Sequence, residues 1–143
     1  MVHVLTFPEL GSDRLFRIME ARSRVFIMEQ RITACPDLDE VDLHCLHVFM
    51  DNDAGEILAY ARCFSEEPGK AHIGRVLTTV RGKGYGVRVM KEAIRACRER
   101  LSATEIALSS QEQVVGFYEK LGFSVVSGPY DECGIRHYGM KLN

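Results

Sequence analysis

Between Val76 and Ile94 the chain runs "VLTTVRGKGYGVRVMKEAI". An apolar, strand-like run passes through Arg81-Gly82-Lys83-Gly84-Tyr85-Gly86 into a helical pattern. A strand that feeds a helix through a tight glycine turn needs a sheet with a helix packed upon it. The first N–H groups of a helix lack intrahelical partners and carry partial positive charge. Glycine lets the backbone approach a ligand closely and adopt positive φ. Several N–H groups from Gly82 to Gly86 can therefore converge on an anion, and a phosphate suits such a nest. Arg81, Lys83 and Arg88 can add charge-assisted contacts. The spacing is G-x-G-x-G, so neither the Walker A pattern nor G-x-G-x-x-G is present. The competing reading is a plain glycine-rich turn.

The rest of the pattern extends the same architecture. Residues 2–7 alternate like a strand closed by Pro8. Ser12 can cap a helix to about Phe26, with apolar positions Leu15, Ile18, Met19, Val25 and Phe26. Residues 27–43 are irregular and acid-rich. Residues 45–50 and 56–64 read as strands around "DNDAG", and 71–79 as another. Val87, Met90, Ile94, Cys97 and Leu101 form one buried helix stripe. A strand at 104–109 leads to Ser110 and Gln113, which resemble a capping box for a short helix ending at Leu121. Strands at 123–127 and 135–142 close the chain. The predicted order is β-α-β-β-β-α-β-α-β-β, an α/β fold with helices flanking a mixed central sheet.

Composition narrows the class. A length of 143 residues suits one domain, residues 1–143, with a sizeable core. A net charge of −2 gives no general attraction to nucleic acid or an anionic membrane. No apolar run approaches the ~18 residues of a membrane span. The start, "MVHVLTFPEL", lacks a basic region followed by an apolar core, so no signal peptide is expected. The cysteines, Cys35, Cys45, Cys63, Cys97 and Cys133, are odd in number and form no C-x-x-C pair. That predicts free thiols in a reducing compartment, the cytoplasm.

Two segments in the right order carry a family resemblance. "R-x-x-G-x-G" at Arg81, Gly84 and Gly86, after a strand ending "RVLT", resembles motif A of the GNAT acetyltransferases. "VVGFYEKLGF", residues 114–123, resembles their motif B. "RSRVFIMEQ", "AYAR", "IGRV" and "YDECGIRHYGM" resemble stretches of the ElaA-like GNAT subgroup, from Arg22 to Met140. The resemblance implies a GNAT fold, acetyl-coenzyme A (acetyl-CoA) as co-substrate, and acetyl transfer to the primary amine of a small molecule. It also carries a homodimer as an expectation.

Roles follow residue by residue from the resemblance. Backbone N–H groups of Gly82, Lys83, Gly84, Tyr85 and Gly86, with Arg81, would hold the diphosphate. Val76, Leu77 and Thr78 would receive the pantetheine arm as a strand edge. Gln111 stands where many members have an asparagine that binds pantetheine. Tyr118 occupies the general-acid position; a phenol is protonated at neutral pH and can donate to a thiolate. His137, in "GIRHYGM", resembles the base of glyphosate-type N-acetyltransferases, with Glu29 as the rival base. Arg22 and Arg75 resemble acceptor-contacting arginines of those enzymes, which suits an acidic amine. An internal salt bridge from Arg22 to an acid in 37–42 is the alternative, because its helix stripe is apolar. Asp37, Asp39, Asp42, His44 and His47 match no metal spacing and read as a solvated acidic loop over the acceptor cleft, with no metal. Cys35 and Cys133 read as inert thiols. The rival function is a non-catalytic acyl-CoA-binding sensor or partner module.

Overall fold

The computed structural model describes all residues, Met1–Asn143. Seven strands form one sheet: β1 (Val2–Thr6), β2 (Leu46–Asp51), β3 (Ile57–Glu67), β4 (Lys70–Thr78), β5 (Glu105–Gln111), β6 (Phe123–Glu132) and β7 (Ile135–Leu142). Their order is β1-β2-β3-β4-β5-β7-β6. Only β4 and β5 run parallel; every other neighbouring pair is antiparallel. The crossover between them carries α2 (Tyr85–Arg100), as a parallel connection requires.

The sheet is covered on both faces. On one, Val89, Met90, Ala93, Ala96 and Cys97 of α2 pack against Val48, Met50, Ala59 and Ala61. On the other, α1 (Phe7–Arg22) brings Leu10, Ile18 and Ala21 against Phe49, Ile57, Tyr60 and Leu77. β2 is thus buried on both sides, which its run "LHVFM" permits because its one polar member, His47, is hydrogen-bonded to Tyr60 and to the Asp42 carbonyl.

Three expected boundaries shift, each for a local reason. Pro8 opens α1 instead of closing β1, since proline is tolerated in a first helical turn. Gly11, at φ 73°, breaks that opening turn, so the regular helix begins near Ser12 as the sequence suggests. α1 then passes into a π-helical segment, Ser23–Glu29, where Gln30 N–H donates to Val25 C=O at 3.0 Å. Ser110 and Gln113 form no capping box: Ser110 lies within β5, Gln111 ends that strand as the N-cap position without a side-chain cap bond, and Gln113 lies inside the next turn. The following helix is a short turn at 112–114 and then α3 (Val115–Glu119). Val87 and Met19, placed in buried stripes by periodicity, lie half-buried and exposed respectively.

The feature that positions the site is a bulge in β4. Arg62 pairs with Gly74, yet Tyr60 pairs with Leu77, so β4 holds one residue more than β3 opposes to it. Arg75 within it has φ 54°. A bulge bends its strand, and pairing of β4 with β5 ends at Ile73 and Leu108. Beyond that point Gly74–Thr78 and Ser109–Gln111 diverge.

Candidate active site

The divergence opens a cavity of about 670 Å³. Its floor is the freed edge of β4, including Val76, Leu77 and Thr78. One end reaches the glycine turn, where Gly82 and Gly84 have φ of 75° and 74° and a Cβ would meet nothing within 4 Å. Space is open above those backbone atoms, and Gly84 is the N-cap of α2. Gly86 sits differently. Its Cβ would lie 3.3 Å from Thr78 Cγ2 and 3.4 Å from Phe117 Cζ, so glycine there lets α2 start close against β4 and α3. A 16-residue helix with free N–H groups and open space at its start can hold an anionic group.

Midway along the cavity stand Gln111 and Tyr118. Gln111 Nε2 donates to Gln30 Oε1 at 3.0 Å across the cleft. Tyr118 lies on α3, with its ring edge-on to Phe117 and Phe123 at 5.1 and 6.1 Å. It is 7% exposed, and burial raises its pKa well above the ordinary phenol value. The phenol is therefore a proton donor over the whole physiological range.

At the far end His137 and Glu132 face one another across the β6–β7 hairpin. His137 Nδ1 donates to the carbonyl of Ile135 at 2.8 Å, leaving the lone pair on Nε2. Nε2 lies 3.5 Å from Glu132 Oε2. Tyr130, opposite His137 in the register, stacks on the imidazole with 22° between rings. Ser109 Oγ donates to Glu132 Oε1 at 3.1 Å. Ser109, Glu132 and His137 all line the cavity.

Behind this end lies a compact ion network. Arg22 is 1% exposed and donates to Asp42 at 2.6 Å and to Asp37 at 3.0 Å. Arg62 binds Asp39 at 2.7 Å and Asp42 at 2.9 Å. Arg75 binds Asp37 at 3.1 Å and Asp39 at 3.4 Å. Three guanidinium groups thus face three carboxylates. Burial opposes charge on both Arg22 and Asp42, but their contact prevails and draws Asp42 down to about 2. Cys35 and Cys133 are joined by a disulfide, with Cα atoms 5.5 Å apart, on the wall beside this network.

A family model described as an acetyltransferase (GNAT) domain matches residues 36–143. The chain belongs to the GNAT family. Its relatives include a UPF0039 protein of Schizosaccharomyces pombe, 37% identical over 139 residues, covering 95% of this chain and 92% of that one. Protein ElaA of Escherichia coli is 32% identical over 147 residues, with the same coverages. The ElaA crystal structure superposes with a TM-score of 0.87 over 100% of this chain and 99% of that one. An acyl-CoA N-acyltransferase from Pseudomonas aeruginosa, 29% identical, gives a TM-score of 0.89 with the same coverages. The ElaA-like resemblance and the GNAT fold both hold.

Within this GNAT cleft the sequence-derived residues separate into two groups. Val76, Leu77, Thr78, Arg81, Gly82, Gly84, Tyr85, Gly86, Gln111, Tyr118, His137 and Arg75 line one cavity. Lys83, Glu29 and Arg22 do not. Lys83 is exposed on the turn and is not part of the cavity lining. Glu29 is exposed and paired with Arg81 at 3.0 Å, beside the glycine turn instead of beside His137. Arg22 sits beneath the wall, saturated by Asp37 and Asp42, which is the internal salt bridge its apolar stripe allowed.

Two further expectations are corrected. The acidic loop is solvated only in part: Asp39 and His44 are exposed, but Asp37 and Asp42 are drawn in by arginines from three separate elements and His47 is buried on β2. Cys35 and Cys133 are not free thiols; only Cys45, Cys63 and Cys97 are, all buried. Counting cysteines cannot reveal a pair 98 residues apart. The placement of Glu132, Ser109, Tyr130 and Arg62 at the cleft depends on strand register, which no local pattern displays. Gly74 inside an apolar strand was the available sign of the bulge.

Proposed function

We propose that this GNAT protein transfers acetyl from acetyl-CoA to the primary amine of a small molecule by direct attack in a ternary complex. The observation that carries the reading is a single cleft. The glycine turn at the start of α2, the unpaired edge of β4, Tyr118 and His137 all open into it. Acetyl-CoA supplies an activated acetyl group as a thioester.

The N–H groups of Gly82–Gly86 and the Arg81 guanidinium bind the diphosphate, so Arg81 exchanges Glu29 for phosphate oxygens. The β4 edge at Val76–Thr78 offers backbone groups to the pantetheine amides and aligns the thioester. Gln111 adds an amide contact from the facing strand. His137 Nε2, with its lone pair directed into the acceptor end, takes the proton from the incoming amine. Tyr118 gives its proton to the departing thiolate. Glu29, outside the cavity, has no part in the proton transfers.

Calorimetric titration with acetyl-CoA, beside adenosine diphosphate, tests the first half. Binding that depends on the pantetheine arm supports it; absence of binding at millimolar ligand removes it. An amine screen with thiol release as readout tests the second half. Tight coenzyme binding with no turnover of any amine would favour an acyl-CoA-binding sensor.

A further inference from the structure

Charge is unevenly satisfied at the acceptor end. Every guanidinium there is engaged with carboxylates, and Arg62 Nε, though unpartnered, is sealed from the cavity. Arg75 keeps only Nη1 without a protein partner, and the charge of all three guanidinium groups is already matched by Asp37, Asp39 and Asp42, which disfavours a further carboxylate on the acceptor. Glu132 is the reverse case. Its carboxylate meets only the Ser109 hydroxyl and His137, and no lysine or arginine pairs with it. In the neutral imidazole the proton is on Nδ1, and a lone pair and a carboxylate oxygen then confront each other at 3.5 Å with no hydrogen between them. Such a pair of acceptors asks for a donor cation. His137 is fixed by the Ile135 carbonyl and the Tyr130 ring and cannot turn its N–H toward Glu132 without losing that bond.

We propose that Glu132 and His137 Nε2 together seat the ammonium of the acceptor, and that the acceptor is an alkylamine of net positive charge carrying no acidic group. This rests on the acetyltransferase reading and reverses the acidic amine that the resemblance of Arg22 and Arg75 implied. The ammonium donates one N–H to each partner. Its proton then passes to His137 Nε2, and Glu132 stabilises the resulting imidazolium. The freed nitrogen lone pair forms the C–N bond as the C–S bond breaks. The thiolate takes the Tyr118 proton, the second nitrogen proton restores Tyr118, and His137 returns its proton to solvent. The products are amide, thiol and one released proton, which balances the ammonium and thioester consumed.

The test uses three probes of one chain length: pentylamine, 1,5-diaminopentane and 5-aminopentanoate. Each is titrated calorimetrically into the wild-type protein, Glu132→Gln and Glu132→Asp, with acetyl-CoA titrated separately. The wild type is expected to bind the first two amines about tenfold or more tightly than the third. Glu132→Gln is expected to weaken both by about tenfold, Glu132→Asp by less, and neither to change acetyl-CoA affinity. Glu132 is exposed, so both variants should fold. Unchanged amine affinity in Glu132→Gln, tighter binding of 5-aminopentanoate, or no amine binding at millimolar concentration overturns the proposal. Failure of acetyl-CoA to bind strikes the acetyltransferase reading instead, and is seen in its own titration.

Discussion

Cys35 and Cys133, 98 residues apart, are bonded at the His137 end of the cleft, where Cys133 follows Glu132 and Cys35 stands two residues before Asp37. The bond ties the loop that carries the three aspartates to the hairpin that carries Glu132 and His137. Closing so long a loop restricts the unfolded chain, a contribution of about 2–4 kcal/mol. Cys133→Ser should therefore lower stability by that order in chemical denaturation. It should also raise KM for the amine several-fold while leaving acetyl-CoA affinity unchanged, because the glycine turn is at the opposite end. Equal loss at both ends would show a general loosening, not a local strap.

Tyr118→Phe removes one oxygen from a ring already held by Phe117 and Phe123. Packing should survive, and acetyl-CoA should bind as before. Without a proton for the thiolate, kcat should fall by about 10²–10⁴. Because burial raises the Tyr118 pKa, the wild-type rate should show no decline from phenol ionisation between pH 7 and pH 10. A variant that keeps full kcat would remove Tyr118 from the mechanism.

Gly84→Ala separates conformation from space. Nothing stands within 4 Å of the added methyl, but φ of 74° disfavours any residue with a Cβ by about 1–2 kcal/mol. That strain falls on the turn proposed to present N–H groups to the diphosphate. Acetyl-CoA affinity should weaken about fivefold to thirtyfold, with amine affinity unchanged. The titration reads both. An unaltered Kd for acetyl-CoA would mean that Gly84 N–H does not face the phosphates.

What the sequence revealed was local. The glycine turn, Tyr118 and the ends of α2 depend on neighbours within a few residues, and periodicity or motif shows them. Whether Arg22 faced substrate or interior turned on residues 15 and 20 positions away, Asp37 and Asp42. An apolar stripe announces a buried charge but does not name its partner. Glu132 lay one turn of hairpin from His137. Only the pairing of β6 with β7, where register shifts occur at Val125–Ser127 and Ser127–Tyr130, brings the two together. Alternation counted from Phe123 does not survive such shifts, so the face on which Glu132 lies follows only from the tight pairing of Tyr130–Glu132 with Ile135–His137.

The buried polar layer predicts a two-stage response to acid. His47 is buried between the Asp42 carbonyl at 2.9 Å and the Tyr60 hydroxyl at 2.7 Å, and burial holds its pKa below the ordinary 6.5. The unfolded chain takes up that proton more readily, so stability should begin to fall as pH drops below about 6.5 and continue through the depressed folded value. Asp42 is shifted from 3.8 to about 2, burial being outweighed by Arg22. Its contribution, about 2 kcal/mol, is fully present above pH 3.8 and is lost as pH falls through about 2. Denaturant midpoints taken from pH 8 to pH 2 should show both losses. His47→Gln should remove the first alone. Arg22→Ala leaves the buried Asp42 only Arg62 as charged partner and empties the space of a large buried side chain, and should cost about 2–4 kcal/mol at neutral pH. A folded, stable Arg22→Ala protein with only its amine KM changed would return Arg22 to the acceptor site.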